Sequence, residues 1–182
     1  MPLEIRVLEE TDVPTFVSIM AAAMQPSPVG RAMHESTPYP TYLRFQKEKL
    51  FRTLHTPHIH HLKVVDTDNN AVLAYATWEF YENGRSDEQL KELEEPFEPG
   101  KEKDSLSGKV QRDWFAYLNG ASRALGKMPH GFLSLIVTHP DHRRRGAASM
   151  LIRWGTDRAD DSGLICFLES SESGRSLYKR HG

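Results

Sequence analysis

Leu135-Ile136-Val137-Thr138-His139-Pro140-Asp141-His142-Arg143-Arg144-Arg145-Gly146-Ala147-Ala148 decides how this chain of 182 residues folds. Apolar and β-branched residues from Phe132 to Val137 read as a strand, and Thr138 to Asp141 turn the chain. Three arginines and a glycine then open a helix whose residues Ala147, Met150, Leu151 and Trp154 form one buried stripe. The first N–H groups of a helix lack partners within it and point at whatever sits at its end. Gly146 lets a ligand approach the backbone, Ala147 and Ala148 leave little side chain in the way, and Arg143, Arg144 and Arg145 add positive field. Those properties suit a phosphate or pyrophosphate site, and they suit equally a solvated basic turn ahead of an ordinary helix.

Outward from this stretch, Asp160-Asp161-Ser162-Gly163 stops the helix, and Leu164 to Leu168 follow as an apolar strand. Two strands joined by a helix of about four turns should run parallel with a right-handed crossover. Upstream, Val110, Trp114, Tyr117, Leu118, Ala121 and Leu125 recur at helical spacing before Gly126. The segments 60–65 and 71–80 flank Asp66-Thr67-Asp68-Asn69-Asn70 and predict an antiparallel hairpin. The N-terminus alternates as a strand over Leu3 to Leu8, then shows a helical stripe of Val13, Phe16, Val17, Met20 and Met24. Gln25 to Pro40 reads as a loop, Tyr42 to Leu54 as a second helix, and Ser173 to Arg180 as a short final one. The order strand, two helices, hairpin, helix, strand, helix, strand, helix predicts an α/β (α+β) fold.

Length and composition predict one domain over 1–182 with a polar, largely acidic insertion at 82–108. Between Glu82 and Asp104 nine acidic residues face four basic ones, a balance of -5 within a formal total of -2. The rest of the chain is therefore mildly basic, at +3. Such an insertion is a solvated linker or an acidic flap that attracts amines. A lone cysteine, Cys166, excludes an internal disulfide framework and is expected to be a buried thiol in its apolar strand. No apolar run reaches membrane-span length, and Glu4, Glu9 and Glu10 do not fit a signal peptide, so cytoplasm or nucleus is expected.

Several chemistries lose their evidence at this level. Gly146 is not followed by the Lys-Ser or Lys-Thr of a P-loop, and no dinucleotide fingerprint occurs. Nine histidines include His55, His58, His60 and His61, but His60 and His61 would point to opposite faces of a strand, so no metal is expected. One basic patch in a net acidic chain without an aromatic platform does not make a nucleic-acid site.

The stretch 135–148 resembles the acetyl-coenzyme A motif of the Gcn5-related N-acetyltransferase (GNAT) superfamily, with Arg143, Gly146 and Ala148 at its defining positions. The similarity extends to Leu168-Glu169-Ser170-Ser171 and to Leu177-Tyr178 with Gly182 four residues beyond. The resemblance implies a mixed, mainly antiparallel sheet flanked by helices and acetyl transfer from acetyl-CoA directly to an amine of a small molecule or peptide. It implies that amides from Arg144 through Arg145, Gly146, Ala147 and Ala148 to Ser149 hold the pyrophosphate, beside Arg143. It also implies that the backbone of Val137 and His139 pairs with the pantetheine arm, that the Val137 N–H polarises the thioester, and that Tyr178 protonates the leaving thiolate. Ser171 stands where relatives carry an asparagine beside the cofactor, and Glu79, near the end of a hairpin strand, is a candidate base, as is His130. The two antiparallel strands that usually follow in this family are absent from the sequence. The strand 164–168 is then expected at an exposed edge: either the sequence is a piece of a longer chain, or a homodimer or a partner strand covers that C-terminal edge, and the alternative to an enzyme is a catalytically impaired acetyl-CoA-binding protein.

Overall fold

The computed structural model describes residues 2–24, 44, 47–48, 50–94 and 106–182. The expected loop at 25–40 lies outside them, as does much of the second helix, of which residues 50–53 are described and helical. Five strands form one sheet in the order of the chain: β1 (Leu3–Val7), β2 (Ile59–Asp66), β3 (Val72–Tyr81), β4 (His130–Thr138) and β5 (Ile165–Leu168). The first four pair antiparallel and β5 runs parallel to β4. This is the mixed, mainly antiparallel sheet that the family resemblance implies.

Helices cover both faces. On one, α1 (Val13–Met24) buries Val13, Phe16, Val17 and Met20 against Leu8, Tyr75 and Val137. Burying side chains of this size contributes about 1.5–3 kcal/mol each before entropy is counted. Between α1 and β4 lie α2 (Asp87–Glu92) and α3 (Leu106–Leu125), with residues 95–105 of the acidic segment outside the described set. On the other face, α4 (Ala147–Asp161) packs Ala147, Leu151, Ile152 and Ala159 onto Leu62, Val64, Ala76, Trp78 and Leu133. A left-handed Gly163, at φ +64°, ends α4, where the Leu164 N–H donates to the Ala159 carbonyl at 2.8 Å. The final α5 (Arg175–Tyr178) lays Leu177 and Tyr178 against the same core.

Apolar character over 164–168 predicted a central strand with a buried thiol, whereas the lack of the usual last strands predicted an exposed edge, and the structure has the edge. β5 is an edge strand with Ile165 52% exposed and Cys166 also exposed. An uninterrupted apolar run signals coverage only when neighbours exist on both faces, and an edge position removes them.

Candidate active site

One irregularity in β4 sets the geometry of the site. Thr77 pairs with Leu135 but Trp78 pairs with Leu133, so Ser134 is an extra residue in β4, and its hydroxyl donates to the Thr77 carbonyl at 3.3 Å. A β-bulge reverses the alternation of the strand beyond it. Leu133 faces the α4 core, whereas Leu135 and Val137 face α1 and Ile136 returns to the α4 side. The main chain changes phase as well. The His139 N–H donates to the Leu73 carbonyl at 2.8 Å, which makes Tyr75 and Val137 the next bonded pair of the ladder. Ile136 and Thr138 consequently turn their N–H and C=O groups away from β3. On that side β5 pairs with β4 only from His130 to Leu133, so the backbone of Ile136 and Thr138 faces a gap.

This geometry corrects the expected pantetheine register. The N–H groups of Val137 and His139 point into the β3 ladder, so neither can pair with an added strand or polarise a carbonyl on the open side. The groups that can do so belong to the neighbouring residues.

The turn after β4 leads from this gap to the start of α4. A 3-10 turn spans Pro140–His142, Arg144 adopts a left-handed conformation at φ +65°, and Gly146 does so at φ +87° as the N-cap of α4. A left-handed arginine carries a strain of about 1–3 kcal/mol that the surroundings must offset. Gly146 is needed for its backbone angle, since a Cβ built there would meet nothing within 4 Å. No side chain caps α4, and its first internal bond runs from the Met150 N–H to the Gly146 carbonyl at 3.1 Å. The amides of Ala147, Ala148 and Ser149 therefore point out of the helix end. Arg143 and Arg144 are exposed beside them. Arg145 departs from expectation: its guanidinium donates at 2.6 Å to the fully buried carboxylate of Asp66, at the end of β2.

The remaining candidates fall into two groups. Tyr178 is half-buried against the core that also receives Ile136, Met150 and Leu168, and burial raises its pKa. Its hydroxyl has no hydrogen-bond partner among the described residues, so it is a protonated phenol free to donate. Nearby, the Ser171 hydroxyl lies 3.1 Å from that of Ser173 and accepts from the Gly174 N–H at 3.3 Å, which makes it part of the turn into α5. Glu79 belongs to the opposite face, where it accepts a 2.6 Å hydrogen bond from the Tyr81 hydroxyl. The Arg85 guanidinium sits 3.8 Å from the Tyr81 ring centre, and His130 stacks on that ring. His130 is fully buried, its Nδ1 lies 2.7 Å from the Met128 carbonyl, and burial pushes its pKa down. It is a neutral imidazole in the fold, with its Nε2 unpartnered among the described residues.

The sequence signature described as "Acetyltransferase (GNAT) family" matches residues 33–182. The chain belongs to the GNAT acetyltransferase family. Acetyl-CoA is accordingly its co-substrate, and the open β4 backbone, the bare helix start and the glycine without crowding fit an extended arm ending in a pyrophosphate. No curated protein sequence matches the chain. Among solved structures, the histone acetyltransferase HPA2 and related acetyltransferase from Corynebacterium glutamicum has 19% identity and a TM-score of 0.62, over 100% of this chain and 84% of that one. A GCN5-related N-acetyltransferase from Ralstonia eutropha has 15% identity and a TM-score of 0.59, over 100% and 92%. A predicted acetyltransferase with acetyl-CoA from Clostridium acetobutylicum has 16% identity and a TM-score of 0.56, over 100% and 89%. At such identities the likeness is one of fold.

In this GNAT chain the sequence reading missed Ile136, Thr138, Tyr81 and Asp66. Alternation along β3 places Tyr81 on the face of Glu79, a local signal that was available. Nothing local marks the bulge at Ser134 or the pairing of Asp66 with Arg145. Among the described residues no helix is long and apolar enough to cross a membrane, and no three or more His, Cys, Asp or Glu side chains are grouped to hold a metal ion.

Proposed function

We propose that the protein transfers the acetyl group of acetyl-CoA directly to an amine of a small molecule or peptide, with 1–182 acting as one acetyl-CoA-binding unit in the cytoplasm or nucleus. The observation that carries this is the open backbone of Ile136 and Thr138 together with the outward-pointing amides at the α4 start, which offer donors of the kind that a pantetheine arm and a pyrophosphate need. Amides over Arg144 to Ser149 hold the pyrophosphate, with Arg143 and Arg144 supplying charge. The amine nitrogen attacks the thioester carbonyl carbon, the C–S bond breaks, and the departing thiolate takes a proton from the Tyr178 hydroxyl. The ammonium proton leaves through water toward Glu79, whose bond to Tyr81 orients it. Although Cys166 is exposed as a residue at the sheet edge, partial desolvation of its thiol and, secondarily, Asp160 raise its pKa, so the thiolate that an acyl-enzyme route would need is disfavoured.

Calorimetry with acetyl-CoA, followed by a screen of amine acceptors read by coenzyme A release and product mass, tests both halves. Binding that is lost in Gly146→Asp, together with an acetylated amine, is the expected result. Absence of binding by folded protein overturns the site. Binding without turnover of any amine leaves an acetyl-CoA-binding protein in place of the enzyme.

A further inference from the structure

Asp66 closes β2 with its side chain 1% exposed, and its carboxylate meets Arg145, from the turn 79 residues later. The carboxylate is also held from its own side, by the Asp68 N–H at 3.1 Å, while the Asp66 N–H donates to the Ala71 carbonyl at 2.9 Å. These bonds make the β2–β3 turn a rigid mount. A second tie between the same two regions is the 2.8 Å bond from the His139 N–H to the Leu73 carbonyl. The segment 139–145 is thus fastened at both ends to one hairpin, and the left-handed Arg144 lies directly beside the Arg145 fastening. The Arg145 hydrogen bond is the main reason that the Asp66 carboxyl stays below the usual carboxylate range, and the group is ionised throughout the neutral region.

From this arrangement we infer that Asp66 is a positioning residue for the co-substrate: it draws the Arg145 side chain inward and thereby holds the strained Arg144–Gly146 turn in the form that presents the α4 amides to the pyrophosphate. The inference rests on the pyrophosphate assignment made above. Arg145 is then a strut and not a phosphate ligand, which leaves Arg143 and Arg144 as the charges that meet the anion. An ion pair in this position confers no general gain over an apolar core pair, because both groups lose hydration. Its use is geometric, since a guanidinium gripped by a fixed carboxylate sets the backbone on either side of residue 145.

The test compares two acetyl donors, acetyl-CoA and S-acetylpantetheine, which has the same thioester and arm but no pyrophosphate. In Asp66→Asn the KM for acetyl-CoA should rise about tenfold or more with kcat little changed, while kcat/KM for S-acetylpantetheine stays within about twofold. Tighter acetyl-CoA binding by the variant would overturn the inference, because it would mean that Arg145, once released, is itself a phosphate ligand. Equal losses with both donors would reduce Asp66 to a stability role, and no loss with either would remove it from the site. If Asp66→Asn does not fold, the double variant Asp66→Asn/Arg145→Met removes the buried charges and the tie together and should show the same donor-selective loss; retention of full acetyl-CoA affinity by the double variant overturns the inference too. Failure of the unaltered protein to bind acetyl-CoA by calorimetry strikes the pyrophosphate assignment instead, so the two failures are distinguishable.

Discussion

Gly155 lies flat against Trp78. A Cβ built on Gly155 would stand 2.0 Å from the indole Cε2, while the indole Nε1 donates to the Leu151 carbonyl one turn earlier, at 3.0 Å. The glycine lets α4 approach β3 closely enough for this bond, and α4 in turn carries the pyrophosphate end of the site. Gly155→Ala should therefore destabilise the fold by about 3 kcal/mol, since neither a helix backbone nor a buried indole can move aside cheaply. A fall in the urea midpoint at unchanged slope is the expected signature; an unchanged midpoint would contradict the contact.

The phase of β4 makes a second expectation specific to single residues. Thr138→Pro removes an N–H that faces the gap, whereas Val137→Pro removes one that belongs to the β3 ladder. The first should raise the KM for acetyl-CoA by about tenfold with a modest loss of stability, and the second should cost about 3 kcal/mol of stability. Steady-state kinetics and chemical denaturation separate the two effects. The reverse pattern would restore Val137 as the pantetheine contact.

How far the site was legible from sequence follows from the same strand. The 14 residues from Leu135 to Ala148 carry local signals, in the apolar run, the proline turn, the glycine and the helical stripe, and the structure forms β4 and α4 from them. Assigning backbone contacts needs the phase of the strand, which Ser134 shifts by one residue. That shift depends on pairing with β3 and has no composition of its own. Asp66 and Arg145 are 79 residues apart in sequence, so Asp66 looked like an ordinary turn residue and Arg145 like one more charge at the phosphate site. The exposure of Cys166 was misjudged for a related reason: Leu164 to Leu168 has the composition of a central strand, but its place at the edge is a property of the sheet as a whole.

Acid should weaken the fold through two histidines shielded from water, His130 fully and His60 in part. Burial lowers the pKa of His130 from 6.5, and that of His60 likewise, so the unfolded chain binds protons at these positions before the folded one does. Stability is then fully present above about pH 6.5 and is lost as the pH falls from there toward the folded values. Nearby Arg85 adds to the depression at His130, while the Met128 carbonyl and Glu79 oppose it. His130→Phe keeps a ring against Tyr81 and should flatten part of the decline in urea stability between pH 7.5 and 5.5, with His60 supplying the remainder. An unaltered slope would mean that His130 is not kept neutral by the fold.

Tyr178 is the most exacting case, because a packing role and a proton-donor role predict different losses. The ring is held against the α4 core, and Gly174 leaves room for it: a Cβ there would approach the Tyr178 Cε2 to 2.9 Å. Phenylalanine preserves that packing, so Tyr178→Phe should unfold at nearly the same urea concentration and bind acetyl-CoA with nearly the same affinity. Loss of the hydroxyl should nevertheless slow acetyl transfer by about 100-fold or more, since water is a poorly placed substitute for a fixed donor. Burial raises the Tyr178 pKa above its ordinary 10.0, so the donor stays protonated across the neutral range and the unaltered enzyme should keep its proton-donor step at mildly alkaline pH. The pKa of the leaving thiol enters as well: a donor bearing a better leaving thiol should narrow the gap between the two proteins, because it needs less help from a proton. Single-turnover rates for both proteins with acetyl-CoA and with such a thioester decide the matter. Equal rates with acetyl-CoA would assign Tyr178 to packing and leave the departing thiolate to solvent.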